Sequence, residues 1–138
     1  MKRGQREQID KLREVNLFAS CSDDELARID HLITQIQVDE GRALTREGEH
    51  GKEFVIVVEG TAGVFKGDEQ VAEVGPGSFL GEIGLLFDVP RTATVKALTP
   101  MTIDVLNLRE FRELLEASPD LRESIEAAAR TRFGEITA

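Results

Sequence analysis

Glycine is concentrated in one segment of the chain, and this uneven distribution limits the folds that the chain can adopt. Ten of the twelve glycines lie between Gly41 and Gly84. Glycine permits tight turns between short strands and weakens helices. The flanking segments are instead rich in Leu, Glu, Arg and Ala. The sequence therefore predicts helices at both ends and a turn-rich β unit between them.

Short apolar segments within the glycine-rich part have the character of strands. Residues 53–58 (EFVIVV) form a continuous, largely β-branched run that is typical of a strand buried on both faces. Turn residues such as Gly60, Gly67 and Pro100 separate the segments from one another. The further predicted strands are 36–38, 61–65, 70–74, 91–97 and 101–106.

The two flanks carry apolar residues at helical spacing, together with helix-start signals. Ser22 and Glu25 have the spacing of a capping box, and so do Asn107 and Glu110. Ser118 precedes a proline at the first position of a last helix. These elements predict an α+β fold, an antiparallel, jelly-roll-like β-roll with N-terminal helices and two C-terminal helices.

Length and charge exclude several classes of protein. The 138 residues fit one domain, and 17 basic against 26 acidic residues give a net charge of −9. This acidity argues against direct nucleic-acid binding and against docking on anionic lipid. No apolar run is long enough to span a bilayer, the N-terminus does not resemble a signal peptide, and Cys21 is the only cysteine. We expect a cytoplasmic domain without disulfides.

The residue types that metal or nucleophilic catalysis requires are scarce. His31 and His50 are the only histidines, and neither has the spacing of a zinc-ligand cluster. Cys21 lies beside acidic residues, which raise a thiol pKa rather than lower it. The sequence therefore predicts that the chain is not an enzyme and holds no metal, which also argues against a cupin on a similar β-roll.

Residues 75–95 carry the most informative pattern. Glycines at 75, 77, 81 and 84 allow close approach of the backbone to a ligand, and Arg91 follows among small residues. An arginine can grip a phosphate through two parallel hydrogen bonds. The spacing fits neither a dinucleotide-binding motif nor a P-loop. Two interpretations stay open at this point: a phosphate cradle, or tight barrel turns with Arg91 paired to a surface carboxylate.

The same segment resembles the phosphate-binding cassette of cyclic-nucleotide-binding domains. Residues 81–86 read Gly-Glu-Ile-Gly-Leu-Leu, and residues 90–95 read Pro-Arg-Thr-Ala-Thr-Val. Such domains occur in protein-kinase regulatory subunits, cyclic-nucleotide-gated channels and catabolite-activator-type regulators. The resemblance covers about residues 12–125, so we expect one cyclic-nucleotide-binding domain over 1–138 with that segment as its core.

The resemblance implies a role for individual residues. Arg91 would bind the cyclic phosphate, Glu82 would accept a hydrogen bond from the ribose 2′-hydroxyl, and Thr92 would bear on the choice between cAMP and cGMP. A short cassette helix over 82–86 would hold Glu82. The implied ligand-binding residues are Gly81, Glu82, Ile83, Gly84, Arg91, Thr92 and Ala93.

A lid over the base is also implied by the family. The candidate lid residues are Arg130, Arg132 and Phe133. We expect their helix to be short and to fray near Gly134. The alternative for each of the three is a solvated helix end.

The function that the resemblance implies is a stand-alone sensor. The ligand would be cAMP, which we favour, or cGMP, and the output would be exerted in trans on an effector protein. A homodimer through the C-terminal helices is compatible with the sequence but not indicated by it. The alternatives are an interaction module of the same fold that binds no nucleotide, and a sensor for another anionic effector.

Overall fold

Eight strands and five α-helices make up the part of the chain that the structure describes. The structure is a computed structural model that describes residues 3–87 and 89–137, with side chains for 4–87 and 89–132. The helices are α1 (Arg3–Arg13), α2 (Asp23–Asp30), α3 (Glu82–Phe87), α4 (Leu108–Ala117) and α5 (Pro119–Thr137), with a 3-10 turn at Asn16–Phe18. The strands are β1 (Thr34–Val38), β2 (Ala43–Thr45), β3 (Glu53–Glu59), β4 (Ala62–Lys66), β5 (Glu69–Val74), β6 (Phe79–Leu80), β7 (Thr94–Ala97) and β8 (Met101–Asn107).

The strands form two four-stranded sheets. One has the order β1-β8-β3-β6 and the other β2-β7-β4-β5, and every pairing is antiparallel. The helices lie before the first strand, in the β6–β7 connection and after the last strand. The predicted fold class, an antiparallel β-roll with helices at both ends and a short helix in the cassette, is confirmed.

Strand β3 is buried on both faces of its sheet. Phe54 and Ile56 point into a core shared with the helices, whereas Val55 and Val57 point into a second core between the two sheets. Because neither face meets water, β3 has no polar alternation, which explains the continuous apolar run in its sequence. The core under the helices holds them against the β-roll: its helical members are Ile9, Leu12, Leu26, Ile29, Phe111, Leu114, Leu115, Ala117, Leu121 and Ile125.

The predicted helix starts are confirmed. Ser22 accepts a hydrogen bond from the Glu25 backbone while the Glu25 side chain accepts one from the Ser22 backbone. Asn107 and Glu110 form the same reciprocal pair at the start of α4. The Ser118 hydroxyl accepts from the Leu121 backbone at the start of α5. None of the described helices is long and apolar enough to cross a membrane.

Two predicted elements have different bounds in the structure. The strand expected over 91–97 begins only at Thr94, because the Arg91 backbone instead pairs with the loop at Gly48 and Glu49. The last helix was expected to be short and to fray at Gly134, but α5 runs to Thr137. A glycine costs a helix only about 1 kcal/mol. Burial of the face that carries Leu121, Ile125 and Ala129 outweighs that cost.

Outside the cassette, one charged residue among those that the structure describes is buried in the β-roll. Asp104 is 4% exposed and lies in strand β8, in which every residue but the last is buried. Its Oδ1 accepts a hydrogen bond of 3.0 Å from Nε2 of Gln35, its direct partner on β1. Burial raises the pKa of the Asp104 carboxyl, and the Gln35 hydrogen bond opposes this increase only in part. The folded state therefore holds the Asp104 proton more tightly than the unfolded state does.

Replacing this carboxylate by its neutral isostere is expected to stabilise the fold near neutral pH. Asp104→Asn keeps an acceptor for Gln35 and removes the cost of burying a charge. We therefore expect a higher free energy of unfolding for Asp104→Asn than for the wild type near neutral pH. The gain should disappear below the ordinary aspartate pKa, where the wild-type carboxyl is protonated in both states.

Urea unfolding of both proteins across the acid range measures this difference. Asp68→Asn, in the exposed β4–β5 turn, is the matched control and should show no such pH-dependent gain. A destabilised Asp104→Asn protein at neutral pH would contradict the account, since it would show that the buried charge makes a favourable interaction.

Candidate ligand-binding site

A cavity of about 340 Å³ lies at the cassette. One wall is the turn and first residues of α3, another is the loop before β7, and the opposite wall is formed by β4 and β5. All seven residues that the resemblance implied line this cavity, together with one of the three candidate lid residues. They are Gly81, Glu82, Ile83, Gly84, Arg91, Thr92, Ala93 and Arg132.

The backbone of Arg91 is fixed by the loop that precedes β3. The Arg91 amide donates to the carbonyl of Glu49 at 2.8 Å, and the Arg91 carbonyl accepts from the amide of Gly48 at 2.9 Å. Farther along the loop, the Glu47 amide donates to the Thr94 hydroxyl. This pairing holds the segment before β7 against the start of β3 and directs the Arg91 side chain inward.

The guanidinium of Arg91 fits a space that two glycines leave open. A Cβ atom at Gly51 would lie 2.0 Å from Nε of Arg91, so any side chain there would collide with it. A Cβ at Gly81 would lie 2.8 Å from Nη1 of Arg91 and 2.3 Å from the Glu53 carbonyl oxygen. Gly81 also has a φ of +100°, a conformation that only glycine adopts easily. Gly81 therefore requires glycine, and a side chain at Gly51 would displace the guanidinium of Arg91.

The Arg91 guanidinium is only partly satisfied. Nη2 donates to the backbone carbonyl of Glu53 at 2.8 Å, while Nη1 is buried without a hydrogen-bond partner among the described residues. Burial lowers the pKa of Arg91, and the charges of Glu53 and Glu82 oppose that shift. The group remains a cation with an unused donor in a partly desolvated place, which is the environment that an anion would stabilise.

Glu82 supplies the complementary acceptor. Its side chain is 1% exposed, and Oε1 forms an ion pair with Nη1 of Arg132 from α5. Oε2 is buried and accepts no hydrogen bond from any described residue. A buried polar atom without a hydrogen-bond partner costs about 1–3 kcal/mol. Glu82 and Arg91, which line the same cavity, each have one such atom.

Arg132 lies over one side of the cavity. Besides Glu82, it contacts Phe79 in two ways: Nη1 donates to the Phe79 carbonyl at 3.0 Å, and the guanidinium carbon lies 4.7 Å from the centre of the ring. The second candidate lid residue, Arg130, lies elsewhere, 3.9 Å from Glu126 on the exposed part of the same helix. The side chain of Phe133, the third, is outside the described residues.

The wall opposite the cassette is mainly apolar. It is formed by side chains on alternate positions of two paired strands, Val64 and Lys66 of β4 with Ala72 and Val74 of β5. Leu80 and Ile83 extend the apolar surface toward α3. A flat apolar group can lie against this wall while its charged end faces Arg91. No histidine or cysteine is among the described residues that line the cavity.

The described residues contain no group of three or more His, Cys, Asp and Glu side chains that could hold a metal ion. Cys21 lies in the core under the helices, where burial and the Glu25 carboxylate raise the pKa of its thiol. The described part of the cavity is thus suited to hold a ligand by hydrogen bonds, charge and apolar contact.

Some residues that shape the site were not predicted. Gly51 and the Glu53 carbonyl lie about forty positions before Arg91, and Phe79 precedes the cassette. No motif in the sequence marks Gly51. The glycine-rich composition of 41–84 was the available signal. It predicts turns, but it does not show which glycine is needed to leave space for the Arg91 side chain.

Comparison with known proteins gives the family. The family model for the cyclic nucleotide-binding domain matches residues 35–118, more than half of the chain. A cAMP-dependent protein kinase regulatory subunit of Mycosarcoma maydis is 40% identical over 133 residues, which are 90% of this chain and 25% of that protein. A cyclic nucleotide-gated potassium channel of Rhizobium etli is 34% identical over 120 residues, 87% of this chain and 34% of the channel.

The fold is found in solved structures as well. The structure of the domain named PKAR CBD2 with bound Sp-2Cl-cAMPS superposes with a TM-score of 0.83 at 24% identity, covering 96% of this chain and 88% of that one. The chain spans only 22–34% of the length of the curated relatives that it matches. Sequence and fold agree, and the chain belongs to the cyclic nucleotide-binding domain family.

Proposed function

We propose that this domain binds a cyclic nucleotide, cAMP in the first place or cGMP, in the cavity at α3 and acts as a non-catalytic sensor. The observation that carries the proposal is the pair of unsatisfied buried atoms, Nη1 of Arg91 and Oε2 of Glu82, which belong to two residues that line one cavity. One is a cationic donor and the other an anionic acceptor. A ligand that places an anion at the first and a hydroxyl at the second meets both requirements.

A cyclic nucleotide has these groups in a fixed order. Its phosphate would accept from Arg91, its ribose 2′-hydroxyl would donate to Glu82, and its purine would lie on the apolar wall. Hydrogen bonds to charged groups are worth about 1.5–3 kcal/mol each. Since both protein atoms are already buried, the ligand gains these bonds without the cost of desolvating and positioning them.

The charge of the cavity favours a cyclic over a linear phosphate. Three cations are among the described residues that line it: Arg91 in the cassette, Arg132, which is already paired with Glu82, and Lys66 on the wall formed by β4 and β5. A cyclic phosphate diester carries one negative charge, which one arginine can balance. A terminal phosphate such as that of AMP carries a charge near −2 at neutral pH, and the carboxylate of Glu82 in the same cavity would repel the excess.

Helix α5 supplies the route from ligand to output. One oxygen of Glu82 pairs with Arg132 of α5, and the other is buried without a hydrogen-bond partner among the described residues. A ligand on Glu82 therefore changes the energy of the contact that docks α5. It can shift the position of α5 only by the difference in its affinity for the two positions. We propose that the domain stands alone as a sensor, and that an effector protein outside the chain reads the position of α5 in trans.

Calorimetric titration of the purified chain tests the proposal. The sample is first denatured and assayed for co-purified nucleotide, then refolded and titrated with cAMP, cGMP, 2′-deoxy-cAMP and AMP. We expect saturable binding of cAMP or cGMP, weaker binding of the 2′-deoxy analogue and no binding of AMP. If folded, nucleotide-free protein binds none of the cyclic nucleotides, the proposal fails, and an interaction module or a sensor for another anion takes its place.

Arg91→Lys should lose most of the affinity for cyclic nucleotide. A lysine has a single ammonium group, which cannot donate to Glu53 and to a phosphate in the geometry of the guanidinium fork. We expect the dissociation constant to rise about tenfold to a hundredfold. Arg112→Lys, on the exposed face of α4, is the matched control and should bind like the wild type. Unchanged binding by Arg91→Lys would exclude Arg91 from the phosphate contact.

Thr92→Ala tests the choice of base. Thr92 lines the cavity, and its hydroxyl can accept from the 2-amino group of guanine, which adenine lacks. The substitution should weaken cGMP about two- to tenfold more than cAMP. Titration of both nucleotides gives the ratio, and Thr34→Ala on the exposed part of β1 serves as the control. Equal weakening of both would remove Thr92 from base selection.

A further inference from the structure

Strand β1 is an open edge that lacks the features with which edge strands avoid pairing. The two sheets, as far as the structure describes them, end in four edge strands, β1, β6, β2 and β5. Strands β6 and β2 are only two and three residues long, and β5 carries Glu69 and Glu73. Short length and charge both protect an edge against pairing with another strand. Strand β1 has five residues, Thr-Gln-Ile-Gln-Val, and none of them is charged.

The outer side of β1 is accessible. The first four of its residues are exposed, and only Val38 is buried. Ile36, at the centre of the strand, is 42% exposed and is among the few large hydrophobic side chains in the described part of the chain that are. On one side β1 pairs with β8, and no described strand pairs with the other side. Every second residue of β1 therefore turns its backbone N–H and C=O toward an open edge.

We infer that this edge is an interface between two copies of the chain, in which β1 pairs antiparallel with β1 of a second copy about a two-fold axis at Ile36. A two-fold contact must match itself, since residue i faces j and j faces i. The centre of β1 meets this condition because Gln-Ile-Gln reads the same in both directions. Ile36 then faces the partner's Ile36, and Gln35 faces the partner's Gln37. The two four-stranded sheets join into one sheet of eight strands.

The glutamine side chains on β1 are matched for this contact by their bonds to β8. Nε2 of Gln35 donates to Asp104 at 3.0 Å, which leaves the Gln35 Oε1 acceptor without a partner among the described residues. Oε1 of Gln37 accepts from the Thr102 hydroxyl at 3.4 Å, which leaves the Gln37 Nε2 donor equally unused. Across the two-fold axis, an unused acceptor on one copy therefore faces an unused donor on the other. Symmetry produces this hydrogen bond twice.

Charge also favours self-association at this edge. The chain has a net charge of −9, so most of its surface repels a second copy. Residues 32–38 carry no charge, and two copies can approach there with little repulsion. The symmetry of the strand sequence favours a second copy over a strand of another protein. No residue of β1 is among the described residues that line the cassette cavity, so the inference does not rest on the proposed function.

The expected dimer is weak. A five-residue edge offers less contact than the roughly 1,200–2,000 Å² that a stable interface buries. Sedimentation equilibrium of the whole chain from about 10 µM to about 1 mM should therefore show a monomer–dimer equilibrium, with dimer at the upper end of the range.

Ile36→Lys should raise the dissociation constant of the dimer about tenfold or more, because it sets two like charges opposite each other at the axis. Val71→Lys is the matched control. Val71 is an equally exposed hydrophobic residue on the edge strand β5 of the other sheet, so the same substitution there should leave the dimer intact. Thermal unfolding of both variants shows whether they are folded.

Oxidation of Ile36→Cys tests the register of the two strands without adding a charge. Facing residues of an antiparallel pair lie about 4.5–5.5 Å apart, close enough for a disulfide. We expect a covalent dimer that a reductant separates. Thr34→Cys should not form one, because Thr34 faces the partner's Val38 rather than the partner's Thr34. The native Cys21 is buried and does not interfere.

Three results would overturn the inference. A monomer at every concentration would leave this edge to a strand of another protein. A dimer that persists in Ile36→Lys, or that Val71→Lys disrupts to the same extent, would place the interface elsewhere. If Ile36→Lys does not fold, the cysteine variants decide, and crosslinking of Thr34→Cys as efficient as that of Ile36→Cys would exclude the two-fold axis at Ile36. None of these results bears on nucleotide binding.

Discussion

The guanidinium of Arg91 is enclosed by backbone rather than by carboxylates, and much of the local structure follows from that. Gly51 and Gly81 leave the space that it fills, and the Glu53 carbonyl takes one of its donors. The loop before β3 fixes its backbone. A carboxylate partner would have satisfied the guanidinium fully and left it inert. Enclosure by glycine and carbonyl groups holds the cation in place while one donor stays available.

Glu82 connects this cation site to the helices. It is almost completely buried at the first position of α3, and Arg132 reaches it from α5, less than one helical turn after the buried Ala129. Breaking a buried ion pair by removing one partner is costly, so a ligand that competes with Arg132 or cooperates with it changes how firmly α5 is docked. The cavity and the C-terminal helix are thereby coupled through one carboxylate.

The fold could be predicted from the sequence to a large extent, because its main signals are local. The capping residues Ser22 and Asn107 predict where helices begin, and the continuous apolar run 53–58 predicts a strand that is buried on both faces. The bounds that were wrong depend on distant contacts. Strand β7 starts late because the segment around Arg91 pairs with a loop forty residues away, and α5 continues past Gly134 because its earlier turns are held by the core.

Only those residues of the candidate site that belong to a local sequence motif could be predicted. Gly81, Glu82 and Arg91 stand together in the cassette, and the structure brings them to one cavity. Gly51 has no local signal, since it makes room for the Arg91 side chain, which the tertiary structure brings close. Arg132 could be selected from its position in the last helix, but the sequence did not distinguish it from Arg130. That distinction depends on which face of α5 meets Glu82.

A crystal structure of the chain with cAMP would test the central claim most directly. The account predicts that a phosphate oxygen lies within hydrogen-bond distance of Nη1 of Arg91 and that the ribose 2′-hydroxyl donates to Oε2 of Glu82. Both atoms that are unsatisfied in the free protein would then be paired. A nucleotide bound elsewhere, or bound in this cavity with Arg91 Nη1 and Glu82 Oε2 still unpaired, would contradict it.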